Sequence, residues 1–202
     1  MKCAIIVGSH RPASESSKVG RFIEHQLKEG KHDVSVLDLG KTHLPLWSEE
    51  KWDASSALNK LWKPYSDQLK AAEAFVVISP EWSGMVPAGL KNIFLLCEDY
   101  ELANKPALII AVSASRGGSY PVAELRMSSY KNTFICYIPE HVIVRSVKDV
   151  LNDFNMDESK KEDFYIKNRI IYSLKILEQY ALALNKVRES GIFDYEQYEY
   201  GM

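Results

Sequence analysis

Residues 5–17 read Ile-Ile-Val-Gly-Ser-His-Arg-Pro-Ala-Ser-Glu-Ser-Ser. A short apolar run enters a loop made almost wholly of anion-binding parts. Gly8 lets the chain turn tightly after the strand. Ser9, Ser14, Ser16 and Ser17 offer hydroxyls, and Arg11 offers a planar, permanently charged fork suited to phosphate. A helical pattern follows, with Val19, Phe22, Ile23 and Leu27 on one face. The loop therefore delivers hydroxyls and free N–H groups to a helix N-terminus, where partial positive charge favours an anion. A plain capping turn would need only one of those serines.

Working outward, strand-like runs recur at 3–7, 34–39, 74–79, 107–112 and 134–138. The run 142–147 reads as an extension of the last one after a break at Pro139. Helical patterns separate them at about 16–29, 54–72, 87–100 and 120–130, and a long one follows at about 159–190. Pro64 is expected to split the second helix or to start its latter half. Strands alternating with helices imply a parallel sheet covered on both faces, joined by right-handed crossovers. The continuous apolar runs at 74–78 and 107–112 fit strands buried on both faces. The stretch 41–53, with Pro45, Trp47 and Trp52, reads as a partly ordered surface excursion. The tail from Phe193 alternates aromatic and acidic residues and either packs on a neighbour or frays, with fraying the expectation for a terminus.

The chain has 202 residues, 46% apolar and 26% charged, which is ordinary for a globular protein with one core and predicts a single domain over 1–202. Its core is expected at about 1–150. Net charge is −2, with 25 basic and 27 acidic residues, so there is no electrostatic footprint for nucleic acid. No apolar run reaches the length needed to span a bilayer, and the first one ends at Gly8, too soon for a signal peptide. A cytoplasmic protein is the expectation. Cys3, Cys97 and Cys136 are too scattered for a metal knuckle and read as small buried hydrophobes. The five histidines form no metal-helix pair, and His10 stands out only because it lies in the phosphate loop.

In an open parallel sheet, ligands bind beyond the carboxyl ends of the strands, where strand order switches. Two further loops belong there. The stretch Ser79-Pro-Glu-Trp-Ser-Gly is held on a tight path by Pro80 and Gly84. It presents the flat face of Trp82 and the hydroxyl of Ser83, while Glu81 either meets a ligand or only holds the loop. The stretch Ser113-Ala-Ser-Arg-Gly-Gly leaves bare backbone at Gly117 and Gly118, which a planar ligand can approach closely. It lacks the Gly-Lys-Ser/Thr ending of a nucleotide-triphosphate loop. A phosphate nest, an aromatic wall and bare backbone suit a flat, phosphorylated aromatic cofactor. No Ser–His–acid order, Cys–His pair or carboxylate pair accompanies them, so a cofactor would carry the chemistry.

These motifs resemble those of the NADPH-dependent FMN reductase family of flavodoxin-like proteins. Gly8–Ser16 resembles its Gly-Ser-x-Arg-x-x-Ser-x-Asn loop. Ser79–Gly84 with Leu90-Lys91-Asn92 resembles its Thr-Pro-Glu-Tyr-Asn loop and following helix. Ser113–Gly118 with Leu125-Arg126 resembles its flavin-ring loop. The resemblance spans about residues 2–144 and implies a flavodoxin-like three-layer α/β/α sandwich with strand order 2-1-3-4-5. It also implies FMN, with NADPH or NADH as electron donor. Ser9, Arg11, Ser14, Ser16 and Ser17 would hold the phosphate. Pro80, Glu81, Trp82 and Ser83, with Gly84 in the same loop, would line the ribityl chain and ring. Ser113, Arg116, Gly117 and Gly118 would meet the pyrimidine edge. No side chain is catalytic in this reading: hydride passes from nicotinamide to flavin N5 and on to a quinone, free flavin or similar small-molecule acceptor. A homodimer or homotetramer is implied. Ser16 stands where the family often has Asn, Trp82-Ser83 where it has Tyr-Asn, and Arg116 where Gly is common. On the residues alone, an FMN-binding electron carrier without its own NAD(P)H reaction stays open, as does a phosphate-loop protein with another ligand.

Overall fold

A computed structural model describes residues 1–198. Its sheet is built from β1 (Lys2–Val7), β2 (Asp33–Asp38), β3 (Ala74–Pro80), β4 (Pro106–Val112) and β5 (Cys136–Val144). All neighbours run parallel, in the order β2-β1-β3-β4-β5. The helices are α1 (Glu15–Glu29), α2 (Ala57–Ala71), α3 (Ala88–Leu96), α4 (Ser119–Met127) and α5 (Lys161–Glu189).

Strand periodicity divides the core between the two faces. Cys3, Ile5 and Val7 of β1 pack with Val19, Phe22 and Ile23 of α1 and with Ile170, Leu174 and Leu177 of α5. Ala4 and Ile6 face the other way, toward Trp62 and Leu69 of α2, Leu90 and Ile93 of α3, and Leu125 of α4. The central strands β3 and β4 are buried at every residue, as their continuous apolar runs require. This is the three-layer sandwich expected from the alternation of strands and helices.

Pro64 behaves differently from the expectation, while Pro139 interrupts the last strand as expected, by a bulge. Pro64 does not split α2, which runs unbroken through it. Pro64 and Lys60, whose carbonyl loses its helical donor, both lie on the exposed face where water serves instead. Pro139 does not end β5. The register jumps from Ala107↔Tyr137 to Ile109↔His141, so the strand bulges around the proline. β5 is an edge strand, where a missing ladder donor is tolerated. Arg126 of α4 donates to the carbonyls of Ile138 (2.8 Å) and Pro139 (2.7 Å) that the bulge turns outward.

Two irregular stretches are ordered by single side chains. Asn92 of α3 accepts the N–H of Trp47 (2.7 Å) and donates to the carbonyl of Pro45 (2.9 Å), pinning the excursion after β2. That excursion contains a 3-10 turn at Glu49–Trp52. After β5, Lys167 is fully buried and its ammonium meets Asp163 (2.6 Å), Asp153 (3.0 Å) and the carbonyl of Asn155 (2.7 Å). The tail does not fray as far as Tyr195, whose ring stacks on Tyr100 at 4.4 Å and whose hydroxyl accepts from Asn104 (2.6 Å). The last part of the acidic-aromatic repeat, 199–202, lies outside the described residues. Cys3 and Cys97 are buried, but Cys136 is only half-buried at the sheet edge. Burial pushes the Cys3 thiol up to about 12, so it stays protonated and inert.

Candidate cofactor site

The carboxyl ends of β1, β3 and β4 feed three neighbouring loops, at the point where the order reverses between β1 and β3. Gly8 opens the first. Its N–H donates to the carbonyl of Ile78 (2.8 Å), and a Cβ there would lie 2.6 Å from Leu90 Cδ2 and 2.8 Å from Ile78 O. Only glycine lets the loop leave β1 so close to β3 and α3.

The structure divides the loop's serines by the fate of their protons. Ser17 Oγ lies 2.9 Å from Asp38 Oδ2, and an ionised carboxylate only accepts, so Ser17 donates. Ser14 Oγ lies 3.0 Å from Ser17 Oγ and must then be the donor in that pair. It also accepts the N–H of Ser17 (3.1 Å), which makes it the N-cap of α1. Both hydroxyl protons are thus committed within the protein. Ser16 is buried, and its hydroxyl has no protein partner among the described residues. Ser9, also buried, accepts only a long contact from Arg11 N–H (3.4 Å).

Among the described residues, the N–H groups of Ser9, His10, Ala13, Ser14, Glu15 and Ser16 have no protein acceptor. Ala13 holds a left-handed φ of 48° that bends the chain toward α1. Arg11 is exposed with no acidic partner among the described residues. Unpaired donors, a free guanidinium and a helix N-terminus together fit a dianionic phosphate.

The second loop is a two-residue hairpin. Trp82 and Met85 exchange N–H···O bonds of 3.1 and 2.9 Å, with Ser83 at φ 51° and Gly84 at φ 73° between them. Two consecutive positive φ values define a type I′ turn. The turn holds up Trp82, whose ring meets His10 edge-on at 4.6 Å. The aromatic wall thus leans on the phosphate loop. Glu124 anchors the turn from α4 by accepting Val86 N–H (2.7 Å) and pairing with Lys91.

Glu81 points away from the hairpin and holds the third loop. Its carboxylate accepts Gly118 N–H, and a Cβ on Gly117 would lie 2.7 Å from Glu81 Oε1. Gly118 sits at φ 106°, and a Cβ there would meet Ile143 Cγ2 at 2.3 Å. Ser113 Oγ is turned into its own loop and accepts Ser115 N–H (3.2 Å). The Arg116 side chain is exposed. Sequence reasoning missed Asp38 and Arg145. Asp38, polar at the carboxyl end of an apolar strand, carried a weak signal. Arg145, whose Nε donates to the carbonyls of Arg116 (2.8 Å) and Gly117 (3.1 Å), carried none.

A cavity of about 270 Å³ adjoins the phosphate loop, bounded by His10, Leu39, His43 and Leu44. A larger one, about 670 Å³, lies away from these loops beside α2. Several of its polar groups are already paired, Lys51 with Asp99 (3.1 Å) and Trp62 with buried Glu101 (3.3 Å), and it has no glycine-bare backbone or helix N-terminal donor loop. The loop cluster is the better cofactor site, because a run of unpaired backbone N–H groups, Arg11 and a helix N-terminus converge there at the carboxyl ends of the strands.

Residues 1–149 match the family model described as NADPH-dependent FMN reductase. The chain belongs to that family. Among its relatives, a quinone reductase of Pseudomonas putida is 28% identical over 121 residues, which cover 58% of this chain and 62% of that protein. An FMN-dependent NADPH-azoreductase of Staphylococcus saprophyticus is 31% identical over 136 residues, 63% of this chain and 68% of that one. The fold is similar to that of FerB, a flavoenzyme NAD(P)H:(acceptor) oxidoreductase from Paracoccus denitrificans. That likeness has a TM-score of 0.66 at 18% identity, over 89% of this chain and 98% of the other.

Proposed function

We propose that the chain is an FMN-dependent NAD(P)H oxidoreductase that reduces a quinone, flavin, azo compound or similar small acceptor. The observation that carries this is the set of unpaired N–H donors and the free Arg11 beside Trp82 and the bare Gly117–Gly118 backbone, in a chain of the FMN reductase family. FMN would supply the redox chemistry, accepting hydride and releasing electrons. The chain's own residues then bind and orient. Arg11, Ser9, Ser16 and the free N–H groups of the first loop hold the phosphate. Ser14 and Ser17 brace that loop against Asp38. Pro80, Trp82, Ser83 and Gly84 line the ribityl chain and ring, with Glu81 fixing the third loop. Gly117 offers its free N–H to the pyrimidine, Ser113 and Gly118 shape the turn beside it, and Arg116 faces solvent at the rim.

The purified protein should be yellow with a flavin spectrum and should bleach anaerobically with NADPH or NADH. A flavin that neither nicotinamide bleaches would make the protein an electron carrier instead. Arg11→Ala should weaken FMN binding by about 1.5–3 kcal/mol, the value of a hydrogen bond to a charged group. Folding stability should stay within about 0.5 kcal/mol, because Arg11 is a surface side chain with no protein partner among the described residues. An unchanged FMN dissociation constant would remove Arg11 from the phosphate site.

Self-association as a homodimer or homotetramer belongs to the same proposal, as does a cytoplasmic setting. Leu46 is 73% exposed and Trp52 68% exposed on the excursion that borders the small cavity. Apolar side chains of that size left open on a loop favour a covering surface. Sedimentation velocity reads the state directly, and a monomer at micromolar concentration would refute it. No helix among the described residues is long and apolar enough to cross a membrane.

A further inference from the structure

We propose that Arg145, at the end of β5, is a positioning residue that aims the Gly117 N–H at the cofactor ring and brings positive charge to its pyrimidine end. The inference rests on the FMN reading above. Arg145 Nε donates to two successive carbonyls, Arg116 O at 2.8 Å and Gly117 O at 3.1 Å. In a trans peptide the C=O and N–H of one unit point in opposite directions. Both oxygens face Arg145, so the N–H groups of Gly117 and Gly118 face the other way. The second is seen there, donating to Glu81. The first has no protein acceptor among the described residues. Glu81 and Arg145 therefore clamp the turn from opposite sides and leave one donor, the Gly117 N–H, without a protein acceptor among the described residues.

The loop itself cannot set this orientation. Glycine backbone has many conformations open to it, and a Gly117-Gly118 turn freed from Arg145 would sample them. Arg145 is in turn set by β5, because Ser113 N–H donates to Val144 O (2.9 Å) and Ser146 N–H to Ser115 O (2.9 Å) on either side of it. Its charge has a second consequence. Reduced FMN is more negative at the pyrimidine end than oxidised FMN, so a nearby guanidinium favours the reduced form.

The test compares wild-type protein with Arg145→Gln and Arg145→Lys, using dissociation constants for oxidised FMN and the two-electron reduction potential of the bound flavin. Arg145→Gln should bind oxidised FMN about tenfold more weakly and reduced FMN about a hundredfold more weakly. The further tenfold corresponds to a potential about 30 mV lower. Arg145→Lys keeps the charge but cannot span both carbonyls. It should weaken oxidised FMN binding while leaving the ratio of the two affinities within about threefold of wild type. Equal weakening of both forms in Arg145→Gln would mark a merely structural residue and overturn the proposal, as would wild-type binding in either variant. Should Arg145→Gln fail to fold, Arg145→Met, which keeps an unbranched stem without the charge, takes its place with the same expected split between the two forms. A wild-type protein that binds no FMN would instead defeat the cofactor reading on which this rests.

Discussion

At the scale of single residues, the fate of each hydroxyl proton separates serines left free from serines that brace the loop. Four serines and an arginine in residues 9–17 are readable as a phosphate loop from type and spacing. Which hydroxyls remain available is not readable, because that depends on Asp38, which arrives from β2. Ser83 shows a different limit. It occupies the first left-handed position of the type I′ hairpin, at φ 51°, where a side chain without a local hydrogen-bonding amide is strained. Ser83→Asn should therefore raise stability by about 1 kcal/mol, the low end of the strain held at such positions. Urea denaturation of the cofactor-free protein measures it, and a destabilised variant would show that the serine hydroxyl matters more than the backbone.

At the scale of elements, periodicity located the five strands and five α-helices of the described residues, while Pro64 misled. A proline's effect depends on which face of a helix or which edge of a sheet it occupies. Pro64 fell on an exposed face and Pro139 on an edge strand, and tertiary placement decides both. The segment between β5 and α5 was opaque for a related reason: its organiser, Lys167, sits inside α5. Hydrogen bonds from Lys167, Asn155 N–H and Lys160 hold the Asp153 carboxyl down at about 2, from an ordinary 3.8. A carboxyl depressed by folding contributes stability above its unfolded value and loses it as pH falls through the folded one. The thermal midpoints of wild type and Asp153→Asn should therefore differ by a constant amount above about pH 5. They should converge as pH drops from about 4 toward 2, and a gap that persists at pH 2 would show that Asp153 acts by packing rather than charge.

At the scale of the whole molecule, the two edges of the sheet have different tasks. The carboxyl edge carries the loops of the site. The amino edge carries Tyr100, Asn104 and Phe134, on which Tyr195 packs, with Arg188 donating to Asn104 O (3.0 Å). Truncation after Ser190 should cost about 1–2 kcal/mol, from aromatic pairs worth about 0.5–1.5 kcal/mol each. FMN affinity should stay within about twofold, since the tail lies at the far edge. A loss of cofactor binding on truncation would show that the two edges are coupled. The sequence by itself determined the alternating architecture, the strand cores, the donor-rich first loop and the loops that sit beside it, because those follow from local periodicity, glycine and charge. Only the tertiary structure decided the fate of the prolines, the proton traffic through Asp38, the turn of Glu81 toward Gly118 and the placement of Arg145. Each of those depends on a partner between 21 and 37 residues away in the chain, or on an exposure that packing assigns. Hydrogen bonds between such partners have no local signature, because their geometry exists only once the sheet has brought the strand ends together.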